Sequence, residues 1–191
     1  YPSGGTVADF VAILEAIQSD ARYLKNLDWG KLRAGHPEGT VRAHIEELEG
    51  NLARLRPHVS EEQADKLRVL IHVHDTFKAE ALSGVAIADP RSHASIARAF
   101  LAEFCDDADL LAMVQNHDEP YALWKQHANK GRLDRGRARA LFEAVSDWKL
   151  FTAFLIIDAC TKGKDRAPIQ WWLTFAAGRV HNGFTVADVL D

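Results

Sequence analysis

His74 and Asp75 stand side by side in "RVLIHVHDTFKAEA", residues 68–81, after an apolar run. An imidazole and a carboxylate are costly to bury unless a partner offsets the loss of water. A transition-metal ion is one such partner, because it accepts imidazole nitrogen and carboxylate oxygen together. The stretch admits two geometries. As a strand, alternation puts His72 and His74 on one face. As a helix, Leu67, Leu70, Ile71, His74 and Lys78 share a face with Asp75 beside it, and His72 turns away with Val69. The flanking Glu, Gln, Ala, Lys, Leu and Arg are strong helix formers, so a helix is expected. The chain also lacks the alternation of strands and helices over ~250 residues that a parallel barrel requires, and the many short strands of a small all-β barrel.

The helical reading makes a demand. If His74 and Asp75 point inward to hold metal, other helices must present ligands on their inner faces. His44 lies three residues after Val41 and four before Leu48. His117 lies three after Val114 and seven after Leu110. Asp158 lies four after Phe154 and seven after Phe151. His93 stands at a helix start, three before Ile96 and seven before Phe100. One core histidine is ordinarily just hydrogen-bonded. Four histidines and two aspartates at inward positions favour a metal centre, since buried carboxylates need partners.

The elements that must position these residues are helical. "TVRAHIEELEGNLARL" places Val41, Ile45, Leu48, Leu52 and Leu55 on one face. "SEEQADKLRVLIHVHDTFKAEAL" opens with Ser60 as N-cap and acidic residues in its first turn. "DPRSHASIARAFLAEF" begins at a Pro–Ser signal and carries Ile96, Phe100 and Phe104. "DADLLAMVQNHDEP" reads as a short helix ending near Pro120, and "RARALFEAVSDWKLFTAFLIIDAC" as one long helix or two short ones. A helix over 6–25 precedes this set and one over 168–180 follows it. No alternating strand and no hairpin signal is found. The expected fold is all-α, a single-domain bundle of seven or eight helices over 1–191.

The order His44, His74–Asp75, Asp158 resembles the HD-domain superfamily, named for its adjacent His–Asp pair. "HDTFK" is similar to its H-D-x-x-K form, with Lys78 in the lysine position. "HPEGTVRAHIEEL", residues 36–48, is similar to the entry of the HD domain of bacterial tRNA nucleotidyltransferases. No nucleotidyltransferase head precedes it, so tRNA end repair is not implied. The resemblance covers roughly residues 36–165. It implies an HD-type helical bundle with a first metal held by His44, His74, Asp75 and Asp158. His93 and His117 match the extra histidines of the dinuclear branch, with Asp75 bridging to a second ion. The cofactors expected are therefore one or two divalent ions of the Mn, Fe, Ni, Zn or Co type. The reaction implied is hydrolysis of a phosphomonoester or phosphodiester, a nucleotide among the candidates, with Asp75 and Lys78 as catalytic residues. The same ligand order is also similar to HD relatives that hold a di-iron centre and use O₂, such as myo-inositol oxygenase. A third reading is a non-catalytic HD-like signalling or binding module.

Further residues fall near this set. Lys78, one turn past Asp75, reads as a phosphate contact or proton carrier, or as a surface lysine with its stem on the core. Asp118 could orient a water or simply end a helix. His36 and Glu38 precede the first ligand, where they could line an entrance or form a helix-capping loop. Lys162, Lys164 and Arg166 in "TKGKDRAP" could meet an anionic substrate or serve as cations at a helix C-terminus. Lys130, Arg132, Arg135, Arg137 and Arg139 read as a solvated face, with no interleaved aromatics to favour nucleic acid. Of Trp171 and Trp172, one is expected in the core and the other at a groove or a partner. His58, His72, His127 and His181 read as surface or edge histidines.

The bulk numbers bound the partners. The chain has 191 residues, 47% hydrophobic and 26% charged, with a formal charge of −4. That balance gives no global electrostatic case for nucleic acid or an anionic membrane. No apolar run approaches the ~20 residues of a membrane span. "YPSGGTVADF" lacks the basic and apolar regions of a signal peptide, and its first five residues read as a loose end. Cys105 and Cys160 read as buried thiols of a reducing compartment. A cytoplasmic protein acting on a small, anionic, phosphorylated substrate is expected.

Overall fold

The computed structural model describes residues 8–191. The expected loose end at residues 1–5 lies outside them. Among the described residues there is no strand, only an isolated bridge between Arg33 and His36. The helices are α1 (Phe10–Ser19), α2 (Ala21–Leu24), α3 (Val41–Leu55), α4 (Glu61–Val73), α5 (His93–Ala102), α6 (Ala108–Asn116), α7 (Glu119–Lys130), α8 (Arg135–Ala144), α9 (Trp148–Ala159) and α10 (Ala167–Ala176). The all-α bundle expected from the sequence is what the chain forms.

α9 is the axis. Its sequence, "WKLFTAFLIIDA", is apolar on nearly every side, and nine of its residues from Trp148 to Ile157 are buried. A helix hydrophobic all round must be enclosed. α3 and α4 pack on it and on each other, α1 covers α4, α5 pairs with α6, and α10 lies against α7 and α9. α3 turns Val41, Ile45, Leu48, Leu52 and Leu55 inward, as its spacing predicts.

The helix starts follow local chemistry. Thr40 accepts from the Ala43 amide, Ser60 forms a capping box with Gln63, and Ser92 accepts from the Ser95 amide. Each satisfies amides that the first turn leaves without a partner. The N-terminal helix expected over 6–25 is broken at Asp20, which caps α2 through the Arg22 amide. The ambiguous run 137–160 is two helices. Val145 is extended, and Asp147 caps α9 by accepting from the Leu150 amide. Pro120 does not end a helix. It sits in the first turn of α7, where its missing N–H costs nothing. The last expected helix closes at Ala176 rather than 180.

Candidate metal centre

Five helices bring six side chains together. His44 lies in the first turns of α3. His74 caps the C-terminus of α4, with Asp75 next in the chain. His93 is the first residue of α5, His117 caps α6, and Asp158 is in the last turn of α9. Helix ends converge here because the bundle's long faces are occupied by apolar packing.

The donor atoms form two groups that share Asp75. His44, His74, Asp75 and Asp158 each offer an atom within 4.8 Å of all the others, and so do Asp75, His93 and His117. Asp158 Oδ1 lies 3.3 Å from both His44 Nε2 and His74 Nε2. Asp75 Oδ2 lies 3.4 Å from His74 Nε2 and 3.6 Å from His44 Nε2. Its other oxygen, Oδ1, faces His117 Nε2 at 3.2 Å and His93 Nε2 at 3.4 Å. One carboxylate thus turns one oxygen to each group, the arrangement of a bridging ligand.

The ring orientations are set from behind. His74 Nδ1 faces the Leu70 and Ile71 carbonyls at 3.0 and 3.1 Å, and His117 Nδ1 faces the Val114 carbonyl at 2.7 Å. A carbonyl only accepts, so each Nδ1 carries the proton and each neutral ring points a bare Nε2 at the centre. Glu38 Oε1 lies 3.2 Å from His44 Nδ1 and 3.0 Å from His36 Nδ1. Phe154 closes the floor, edge-on to the His74 ring at 5.0 Å.

The donor set fits a transition-metal ion on one further observation. His44 Nε2, His74 Nε2 and Asp158 Oδ1 are buried without an aligned hydrogen-bond partner, although they converge on one point. Buried polar atoms rarely go unpaired. An ion among them would satisfy all three. Imidazole and carboxylate together suit Mn, Fe, Ni, Zn or Co.

Electrostatics bind the group together when protons occupy the rings. Burial alone would lower His44, but the Asp158 and Glu38 carboxylates beside its two ring nitrogens outweigh it and raise the ring to about 9. Burial likewise opposes, and the charges of Asp75 and Asp158 raise, His74 to about 9. Asp75 and Asp158 lie well below the carboxylate range despite burial, held down chiefly by Lys78 and Lys164 respectively and by the His74 charge.

The remaining predicted residues divide. Lys78 Nζ lies 2.9 Å from Asp75 Oδ2. Its pKa is raised, because the Asp75 charge outweighs burial. Asp118 Oδ2 lies 3.0 Å from His93 Nε2 and 3.4 Å from His117 Nε2, beside the second group. Lys164 Nζ donates to the Asp158 carbonyl at 2.8 Å and lies 3.8 Å from its carboxylate. His36 lines a cleft that opens onto His44, Asp75 and Lys78. Lys162 is exposed; its backbone amide donates to Glu47, and among the described residues its ammonium makes no ion pair with the centre.

Trp29 and Arg33, which line the same cleft, carried no signal in the sequence beyond their place in a glycine-containing loop. Gly30 shapes that loop. Its φ is +118°, and a Cβ there would stand 2.2 Å from the Gly39 carbonyl oxygen.

His72 is a correction. It is buried, not at the surface. It turns away from the metal centre, as the helical spacing requires, but into a contact between Tyr23 Oη at 2.8 Å and Glu49 Oε1 at 2.7 Å. A carboxylate and a phenol on other helices satisfy it, and neither is visible from its own helix. Trp172 is buried, while Trp171 is half-exposed and stacks on His127 at 5.2 Å between centroids. Cys105 and Cys160 are buried free thiols. Among the described residues, no helix is long and apolar enough to cross a membrane.

Comparison with family models, curated proteins and solved structures gives no match to this chain.

Proposed function

We propose that the protein is a metal-dependent phosphohydrolase of HD-domain type, acting on a small phosphomonoester or phosphodiester. The observation that carries the reading is the division of Asp75. Its two oxygens face separate donor groups, and Lys78 stands on the side that the cleft opens to. His44, His74, Asp75 and Asp158 would hold one ion, and Asp75, His93 and His117 a second. Bound there, divalent ions supply Lewis acidity toward phosphoryl oxygens and make a water easier to deprotonate near neutral pH.

The chain's own residues do the rest. Lys78, kept cationic by Asp75, offers an N–H donor and a positive charge to a phosphoryl oxygen. Arg33 lines the same cleft and adds to the anion preference of its entrance. His36 is lowered by burial and by the charges of Lys164 and Lys78, against the pull of Glu38, so it is neutral at pH 7 and can accept a proton. Asp118 can orient a water by accepting its hydrogen bond. The reaction adds water across the P–O bond, giving an alcohol and a phosphate group.

The test is a substrate panel of phosphomonoesters and phosphodiesters, run with protein loaded in turn with Mn, Fe, Ni, Zn and Co and analysed for bound metal. Phosphate release or diester cleavage is expected with at least one ion. Asp75→Ala should abolish both turnover and metal retention. Unchanged turnover in that variant rejects the site. Oxygen uptake by iron-loaded protein, with no hydrolysis in any metal form, replaces the hydrolase reading with the oxygenase one.

A further inference from the structure

We propose that a groove separate from the metal centre is a second binding site, for a phosphorylated nucleoside. It is formed by the C-terminal end of α7, the loop after it, α8 and the C-terminal end of α10, and encloses about 720 Å³. That is the size of a small-molecule site. It shares no lining residue with the metal centre or its cleft.

Its chemistry is divided between a cationic rim and an aromatic floor. Arg132, Arg135, Arg139 and Arg179 line it, with Glu143 as its acidic member. Among the described residues, none of these four guanidiniums pairs with a carboxylate, whereas Arg137, between Arg135 and Arg139 on α8, is taken up by Glu119. The protein as a whole is acidic at −4, so four arginines around one cavity are a local concentration of positive charge. Arginine forks match phosphate oxygens in geometry as well as charge.

The floor is rigid. Phe142 stacks on Trp172 at 5.6 Å and 17°, and Phe175 stacks on Trp171 at 4.9 Å and 9°. Arg179 lies over the Phe175 ring at 4.1 Å, which adds a planar cation to the lining. Leu133 and Val180 are partly buried apolar neighbours. Trp171 and Arg179 already occupy the Phe175 ring, so a flat aromatic base would lie against Phe142 and the Arg179 guanidinium plane, with its phosphate among the other arginines, and use both parts of this lining. A bare anion would use only the rim. The four arginines gather around one cavity of about 720 Å³, which suits a single nucleotide rather than a nucleic acid strand.

The experiment is calorimetric titration of the full chain in EDTA, which silences the metal centre, with AMP, inorganic phosphate and a ten-nucleotide single-stranded RNA as probes. AMP is expected to bind, with inorganic phosphate at least tenfold weaker. Arg135→Ala/Arg139→Ala, both exposed and free of structural pairing, should weaken AMP at least tenfold while leaving metal-dependent turnover unchanged. Phe142→Ala, checked for folding by thermal denaturation, should weaken AMP but not phosphate. The proposal is overturned if AMP fails to bind at millimolar concentration, if the arginine variant binds it as well as the original, or if phosphate binds as tightly as AMP. Binding of the RNA alone would make the groove a nucleic-acid surface instead. The binding outcomes, all read in EDTA, do not depend on the metal centre being hydrolytic.

Discussion

His44, His74 and His117 present Nε2 to the centre because something behind each ring faces Nδ1. For His74 and His117 that partner is a backbone carbonyl, which no substitution removes. For His44 it is Glu38, a side chain, and this makes the link testable. Glu38→Gln keeps the shape and loses the charge. Metal affinity should fall about 10–100-fold, as for other carboxylates behind metal-bound histidines, measured by competition with a chelating dye. An unchanged affinity would mean that Glu38 only shapes the loop. A second outcome follows from protons competing for the same rings. In metal-free protein His44 and His74 are raised to about 9, against an unfolded value near 6.5. Their contribution to stability is complete below about pH 6.5 and is lost as pH climbs through about 9. Urea denaturation of metal-free protein should therefore show falling stability between those limits, and a flat profile across that window would contradict the geometry. The six candidate ligands were legible from sequence because His44, His74, His117 and Asp158 interrupt apolar stripes, Asp75 adjoins one, and His93 opens a helix that carries one. Glu38 was only half legible, and the Tyr23–His72–Glu49 contact was not, since it joins three helices through residues that are unremarkable on their own faces.

At the scale of elements, periodicity located the helices that are amphipathic. α3 was read to both ends, because stripe and cap agree. α4 opens at Ser60 as read but stops at Val73, well short of the Leu82 that the apolar run suggested; His74 and Asp75 stand in the turn beyond it, and Lys78 begins a separate 3-10 turn. α9 gave no such stripe; its apolar residues run all round, so its start against α8 depended on tertiary contacts. Asp109 of α6 supplies them by accepting from the Ser146 and Asp147 amides at 2.7 and 2.8 Å. α7 was hidden by Pro120, which marks a stop in the chain but sits at a start in the fold. The loop before α3 was least legible, because its shape rests on a backbone crossing rather than on side-chain pattern. Gly30→Ala tests that loop. Its φ of +118° is strained for any L side chain, and the new methyl would collide with the Gly39 carbonyl. A loss of about 1–3 kcal/mol is expected, with weaker metal binding because residues 36–40 carry Glu38. Gly50→Ala, where an added Cβ meets nothing within 4 Å, is the control and should be neutral or slightly stabilising by helix propensity.

The whole molecule is tied through its centre. The candidate ligands run from His44 to Asp158 and come from α3, the end of α4, α5, α6 and α9. An unfolded chain cannot hold them together, so the energy of metal binding becomes energy of folding. Saturating a site with free metal at a hundredfold its Kd adds about 2.7 kcal/mol. For a domain of this size each kcal/mol moves Tm by about 2–4 °C, so a rise of about 5–10 °C is expected on loading and should reverse with EDTA. Asp158→Asn separates this global effect from mere surface binding of metal. It leaves α9 its length and shape while removing the carboxylate that both His44 and His74 face. The variant should fold, lose most of the metal-induced rise in Tm, and lose part of the high-pH instability of the metal-free form, because its two histidines are no longer raised by that charge. If Asp158→Asn still gains the full rise with metal, the ion binds elsewhere, and the five helices are not held together at this point.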